Sequence, residues 1–161
     1  MTTGLIKPAD IKANKPAPGM RSQQLNEHTW AVVFSTGDEI FSGLTNWAAE
    51  HRIKSAHLTA VGALKSAILG YYDLEKKAYR QITIDKQVEL VSMLGDIAID
   101  KGKPALHAHL VVGQPDGSTR GGHLIEAYAS PTAEVFITTF DVELRKTFDP
   151  ASGLDLIAIK R

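Results

Sequence analysis

A chain of 161 residues with 43% hydrophobic content can bury one core without covalent staples, and one domain is the expectation at this length. The absence of cysteine excludes disulfide frameworks, thiolate metal sites and thiol nucleophiles; it fits a reducing compartment and leaves nitrogen and oxygen as the ligands for any metal. Lysine plus arginine balances aspartate plus glutamate at 18 each, so a monomer has no net field to gather a polyanion, which counts against strong nonspecific DNA binding.

From the N-terminus, residues 1–20 hold no apolar run suited to a signal peptide, and no later stretch approaches the roughly 18 apolar residues of a membrane span. A cytoplasmic chain without membrane attachment is expected. Pro8, Pro16, Pro18 and Gly19 among lysines read as a flexible, extended arm, so the domain proper spans 21–161 and survives removal of residues 1–20. Lys7, Lys12, Lys15 and Arg21 make the arm basic, a solvated tail or at most a sequence-independent phosphate contact.

A β-rich run at 29–34 leads into Gly37-Asp38-Glu39, and Ile40, Leu44, Trp47 and Ala48 recur at helical spacing, predicting one major helix over 38–51. Short β-like runs follow at 56–61, 67–72, 79–84, 88–98, 105–112, 123–129, 134–139 and 154–159. Asp73 to Lys77 is a charged reversal, and Gln114-Pro115-Asp116-Gly117-Ser118 is a turn, because proline fixes φ and glycine accepts positive φ. The pattern predicts an α+β fold: a mostly antiparallel sheet of hairpins with one helix.

Within Leu106-His107-Ala108-His109-Leu110, the period-two alternation of a strand points both imidazoles to one face. If the Pro115-Asp116-Gly117 turn centres a hairpin, Val111 falls opposite Gly121 and His109 opposite His123. Three neutral imidazoles would then suit zinc or another divalent transition metal and leave a fourth position for water, a small-molecule ligand or a carboxylate. Solvated or structurally hydrogen-bonded histidines fit the same spacing, and Gly121-Gly122 could carry a bulge that shifts the register.

The run Gly102-Lys103-Pro104-Ala105-Leu106-His107-Ala108-His109, with Asp116-Gly117 and Gly121-Gly122-His123-Leu124, resembles the signature of the plants and prokaryotes conserved (PPC) family, bacterial branch. Gly37-Asp38-Glu39-Ile40, Val61-Gly62-Ala63-Leu64, Glu89 to Gly95, Thr132-Ala133-Glu134-Val135 and Leu144-Arg145 extend the likeness in order over residues 24–160. The resemblance implies a homotrimer associating through its sheets, with His107, His109 and His123 as metal ligands. It also implies a DNA-binding or transcription-associated role, although the Arg-Gly-Arg-Pro AT-hook of plant members is missing here.

Other residues invite weaker readings. Glu134 is a candidate acid/base group or ligand, against a strand carboxylate paired with a cation. Arg145 could clamp an anion, but a structural ion pair is preferred. His28, His51 and His57 are assigned no chemistry, and Trp30, Phe41 and Trp47 are expected in the core. No phosphate-binding loop surrounds Gly121-Gly122, so phosphoryl transfer is not expected. Besides the DNA-associated role, two alternatives stand: a small-molecule metalloenzyme, and a noncatalytic trimeric scaffold binding metal or ligand. The sequence does not decide whether the protein is an enzyme.

Overall fold

A computed structural model of the chain describes residues 4–159. The first three residues of the expected arm and the last two of the expected domain lie outside them. The described elements are β1 (Leu5–Ile6), a 3-10 turn (Pro8–Asp10), β2 (Arg21–Gln24), β3 (Thr29–Ser35), α1 (Ile40–Glu50), β4 (Ser55–Asp73), β5 (Ala78–Ile84), β6 (Val88–Asp100), β7 (Lys103–Gly113), β8 (Thr119–Thr139), β9 (Arg145–Asp149) and β10 (Leu154–Ala158).

Alternation decides which side of the sheet is wet. On β7, Leu106, Ala108, Leu110 and Val112 are buried, so the residues between them, His107, His109 and Val111, face the other way. The strands form one sheet in the order β1-β5-β4-β6-β7-β8-β3-β2, and an extra β4–β8 pairing closes β4, β6, β7 and β8 into a ring. Every named strand pair is antiparallel apart from a single parallel bridge between Ile99 of β6 and Arg145 of β9. The expected α+β architecture is the observed one.

The helix lays Ile40, Leu44, Trp47 and Ala48 into the core against β7 and β8. It starts two residues later than its apolar spacing suggests, because Glu39 is its N-cap and Asp38 accepts instead from Gly19 N and Ser35 N outside the helix. Glu39 accepts from the free N–H groups of Phe41 (3.0 Å) and Ser42 (2.7 Å), which the first helical turn cannot satisfy itself. Trp47 is fully buried, and Trp30 and Phe41 pack against the core, as expected.

Two pairs of predicted strands are fused. The runs at 56–61 and 67–72 are the single strand β4, and those at 123–129 and 134–139 are the single strand β8. Each fused strand exchanges partners along its length, β4 passing from β6 to β5 and β8 from β7 to β3, so its burial pattern shifts where the pairing shifts and reads as a break. β2 and β9 are polar strands without an alternating signature; backbone pairing with β3 and β10 makes them strands. Both predicted reversals are loops, with the Gly117 amide donating to Gln114 O at 2.9 Å.

The proline-rich segment is extended as expected, but along residues 4–20 it is docked on the domain. Leu5 and Ile6 add an edge strand to β5 opposite Arg80 and Tyr79. Farther on, Gly19 N donates to the buried Asp38 carboxylate (2.8 Å), Lys15 N to Ser42 Oγ (3.1 Å), and Glu39 N to Pro16 O (3.1 Å). Ala17 and Met20 pack on the core. Proline excludes this stretch from regular ladders, and its side-chain and carbonyl contacts replace them. Among the described residues no helix is long and apolar enough to cross a membrane.

Candidate metal centre

Two hairpins position the three histidines. β7 and β8 pair with His109 opposite His123 and Val111 opposite Gly121, the register set by the Pro115-Asp116-Gly117 turn, with no bulge in this stretch. His123 is also opposite Gly70 of β4. The backbones approach closely here: a Cβ on Gly122 would stand 2.7 Å from Gly70 O, and one on Gly70 would stand 2.7 Å from the Tyr79 ring. Glycine at both positions lets His123 and Tyr79 share the space.

One ring nitrogen from each of His107, His109 and His123 lies within 4.8 Å of the other two. His107 Nε2 and His109 Nε2 are 3.2 Å apart. Two nitrogens bound to one tetrahedral zinc ion at about 2.0 to 2.1 Å would be separated by about 3.4 Å, so this spacing suits a shared cation. The ring centroids are 5.1 to 5.5 Å apart, with His107 stacked toward His123 and His109 edge-on to both.

Sequence reasoning missed the group that orients His107. Asp96 of β6 is its cross-strand neighbour, and the His107 Nδ1–H donates to Asp96 Oδ2 at 3.0 Å. That bond fixes the tautomer and leaves Nε2 with its lone pair toward the other two rings, the carboxylate–histidine arrangement that supports metal ligands. The signal was present in the two-residue connection Lys101-Gly102, where both φ values are positive, as a tight hairpin requires. Counting back from it pairs Asp100 with Lys103 and hence Asp96 with His107.

Burial and neighbouring charges favour the neutral form of His109 and His123, the form that binds metal. Burial, then the neighbouring His107 and His109 and the Lys146 ammonium, push His123 down to about 3. Burial and His107 also lower His109, with Asp96 opposing. Tyr79 stacks on His123 with centroids 4.4 Å apart and planes 13° apart, and burial together with Tyr72 pushes its own hydroxyl up to about 12. His123 Nδ1 and Asp96 Oδ1 are buried with no hydrogen-bond partner. Converging imidazole nitrogens beside buried nitrogen and oxygen atoms without partners have the donor chemistry that suits a divalent cation.

The remaining candidates lie elsewhere. Glu134 does not join the histidines, a correction to its reading as an acid/base group or ligand: it is exposed on β8 opposite Val33 and Val61, eleven residues beyond His123 and on the order of 30 Å of chain away. Arg145 pairs with Glu143, as preferred. His51 Nδ1–H donates to Trp47 O (2.9 Å) and its ring stacks on the Trp47 ring, His28 lies 3.9 Å from Asp141, and His57 is exposed beside Asp96 on the neighbouring strand.

Residues 21–141 match the Plants and Prokaryotes Conserved (PCC) domain. The chain belongs to this family. Three solved structures share the PCC fold. A "putative DNA-binding protein" of Bacteroides thetaiotaomicron has a TM-score of 0.84 at 24% identity, covering 89% of this chain and 99% of its own. Another protein described in the same words, from Ralstonia eutropha, has a TM-score of 0.78 at 26% identity, covering 89% and 97%. A metal-containing protein of Archaeoglobus fulgidus has a TM-score of 0.75 at 30% identity, covering 85% and 100%. No curated protein is similar enough in sequence to match. The PCC match ends at residue 141, so β9 and β10 lie outside it while all three histidines lie inside.

Proposed function

We propose that this PCC-domain chain holds one divalent transition metal, zinc by the chemistry of its donors, at His107, His109 and His123, with at least one coordination position open. The observation that carries the reading is the pair of orphaned buried atoms, His123 Nδ1 and Asp96 Oδ1, in a cluster whose three imidazoles each bring a ring nitrogen within 4.8 Å of the others. The metal-containing relative from Archaeoglobus fulgidus supports it. Bound there, a metal would supply Lewis acidity at its open position. With Glu134 elsewhere on β8, proton transfer beside the metal would need a different group, so ligand binding is a better-supported role than hydrolysis.

The working unit in this reading is a homotrimer. Leu94, Phe136, Val61, Val91 and Val111 leave large exposed apolar surfaces on the strands of the ring, and Leu94 is the cross-strand neighbour of His109. A second and third copy could cover this face, placing the metal centre beside the interface. Light scattering at micromolar concentration tests the assembly, a monomer counting against it. A DNA-associated role is the second reading, favoured by the descriptions of two neighbours and opposed by the neutral chain.

The deciding experiment is zinc titration followed by dialysis and metal analysis, run in parallel with a DNA titration at several salt concentrations. One retained zinc per chain, lost in the His109→Ala/His123→Ala double variant, is the expected result. A wild-type protein that retains no metal, or a double variant that binds as tightly, overturns the metal reading. Tight DNA binding with a steep negative salt slope would bring the DNA-associated role forward.

A further inference from the structure

His107 and His123 are held in different ways. A metal-binding imidazole is ordinarily oriented by a hydrogen bond from its second ring nitrogen to a carboxylate, a carbonyl or water. Asp96 makes that bond to His107 at 3.0 Å. His123 Nδ1 is buried with no hydrogen-bond partner, so no bond of that kind fixes its ring through this atom. What lies against the ring instead is an aromatic face. Tyr79 stacks on it with centroids 4.4 Å apart and planes 13° apart. At that separation the imidazole cannot swing about its Cβ–Cγ bond without driving an edge into the tyrosine ring.

The slot that holds Tyr79 is built from several sides. Tyr79 is buried, and its cross-strand partner on β4 is Tyr72, which packs edge-on against it at 4.9 Å. The Tyr72 hydroxyl is tied in turn, donating to Ser152 O in the β9–β10 connection at 2.7 Å. Gly70, the β4 residue opposite His123, leaves the room for the stack: a Cβ there would stand 2.7 Å from Tyr79 Cδ1 and 3.0 Å from Ile125 Cδ1. On the other edge of β5, Ile6 of β1 is opposite Tyr79, and Gln81 N donates to Gly4 O at 3.2 Å. Ile6 and Ser152 both lie outside the family match at 21–141, whereas Tyr79 and His123 lie inside it.

Resting on the metal reading above, we propose that Tyr79 is the positioning residue for His123. Its stacked ring holds the imidazole in the orientation that presents a nitrogen to the metal, the task that a hydrogen bond performs at His107. Tyr79 is not itself a ligand. The ring face does the work, so phenylalanine replaces it and an aliphatic side chain does not. Without the stack, the third ligand must be ordered at the moment of binding, and that entropy cost is taken from the affinity.

The test compares full-length wild type, Tyr79→Phe and Tyr79→Leu loaded with cobalt(II), whose visible bands report coordination geometry. Affinity is measured in competition with a chromophoric chelator. Tyr79→Phe is expected to keep the wild-type bands and affinity. Tyr79→Leu is expected to bind cobalt about tenfold more weakly, with shifted bands, a loss of the size that follows when a ligand's supporting partner is removed. The inference is overturned if Tyr79→Leu keeps both the bands and the affinity, or if Tyr79→Phe falls as far as Tyr79→Leu, which would assign the effect to the hydroxyl. Thermal unfolding of the metal-free proteins checks that each variant is folded. Should Tyr79→Leu fail there, Tyr79→Met, which refills the slot with a flexible apolar chain, takes its place with the same expectation. A wild-type protein that takes up no cobalt overturns the metal reading itself, whereas cobalt bound equally well by wild type and Tyr79→Leu overturns this inference alone.

Discussion

Two polar clusters in this protein are built on opposite plans. At the start of α1, Asp38 and Glu39 are almost wholly buried, yet every carboxylate oxygen is used. Asp38 accepts from Gly19 N and Ser35 N at 2.8 Å each, and Glu39 accepts from Phe41, Ser42 and Ala127 amides at 2.7 to 3.0 Å. At the other cluster, His123 Nδ1 and Asp96 Oδ1 are buried with no partner, and two histidine nitrogens confront each other at 3.2 Å. The first cluster is complete within one chain and holds the fold together. The second leaves buried polar atoms without a partner inside the chain, and the proposed metal site rests on them.

The comparison breaks most visibly if the acidic cluster can be emptied without harm. Glu39→Ala should destabilise the protein by about 3 to 5 kcal/mol in urea unfolding, because three backbone donors lose a charged acceptor, two of them in buried surroundings. The surviving folded fraction should bind zinc as wild type does. Removing residues 1–20 should cost less, about 2 to 4 kcal/mol, while unfolding stays cooperative, since it takes away the Gly19 donor to Asp38 and the packing of Ala17 and Met20. A truncation with unchanged stability would mean the arm only rests on the surface.

The histidine cluster should answer the other way, in affinity. Replacing His109 or His123 with alanine should weaken zinc binding by about 100-fold or more in competition with a chromophoric chelator, with little loss of metal-free stability. Asp96→Asn should weaken it by about 10 to 100-fold, because the amide cannot hold His107 in the same tautomer with the same charge. Equal zinc affinity in that variant would reduce Asp96 to a strand residue.

The smallest and most gradual effect is on pH. His123 takes up its proton near pH 3 in the folded chain and near 6.5 when unfolded, so between these values the unfolded state binds more protons. Stability from this group is present above about pH 6.5 and is lost as pH falls toward 3. Metal-free wild type should thus lose denaturant resistance from pH 7 to 5, and His123→Gln should lose less of it. Zinc affinity should fall over the same range as protons compete for the ring nitrogens.

Strand alternation and one turn made much of this legible before any coordinates. Period two placed His107 and His109 on one face, and the proline–glycine reversal paired His109 with His123, because hairpin register is local and a turn of known length sets it. Helix spacing likewise located Ile40, Leu44, Trp47 and Ala48 on one buried stripe. Asp96 was within reach of the same logic through Lys101-Gly102, and a polar residue among β-formers hid it.

Tertiary structure alone decided the rest. That β4 and β8 run unbroken, that Tyr79 covers His123, and that the arm completes the shell of Asp38 all depend on pairings between segments far apart in the chain. Periodicity records which side of a segment meets the core; it carries no record of which other segment will be there to meet it. Glu134 shows the cost: its sequence neighbours suit a site residue, but β8 extends far enough to place it away from the histidines it might have served.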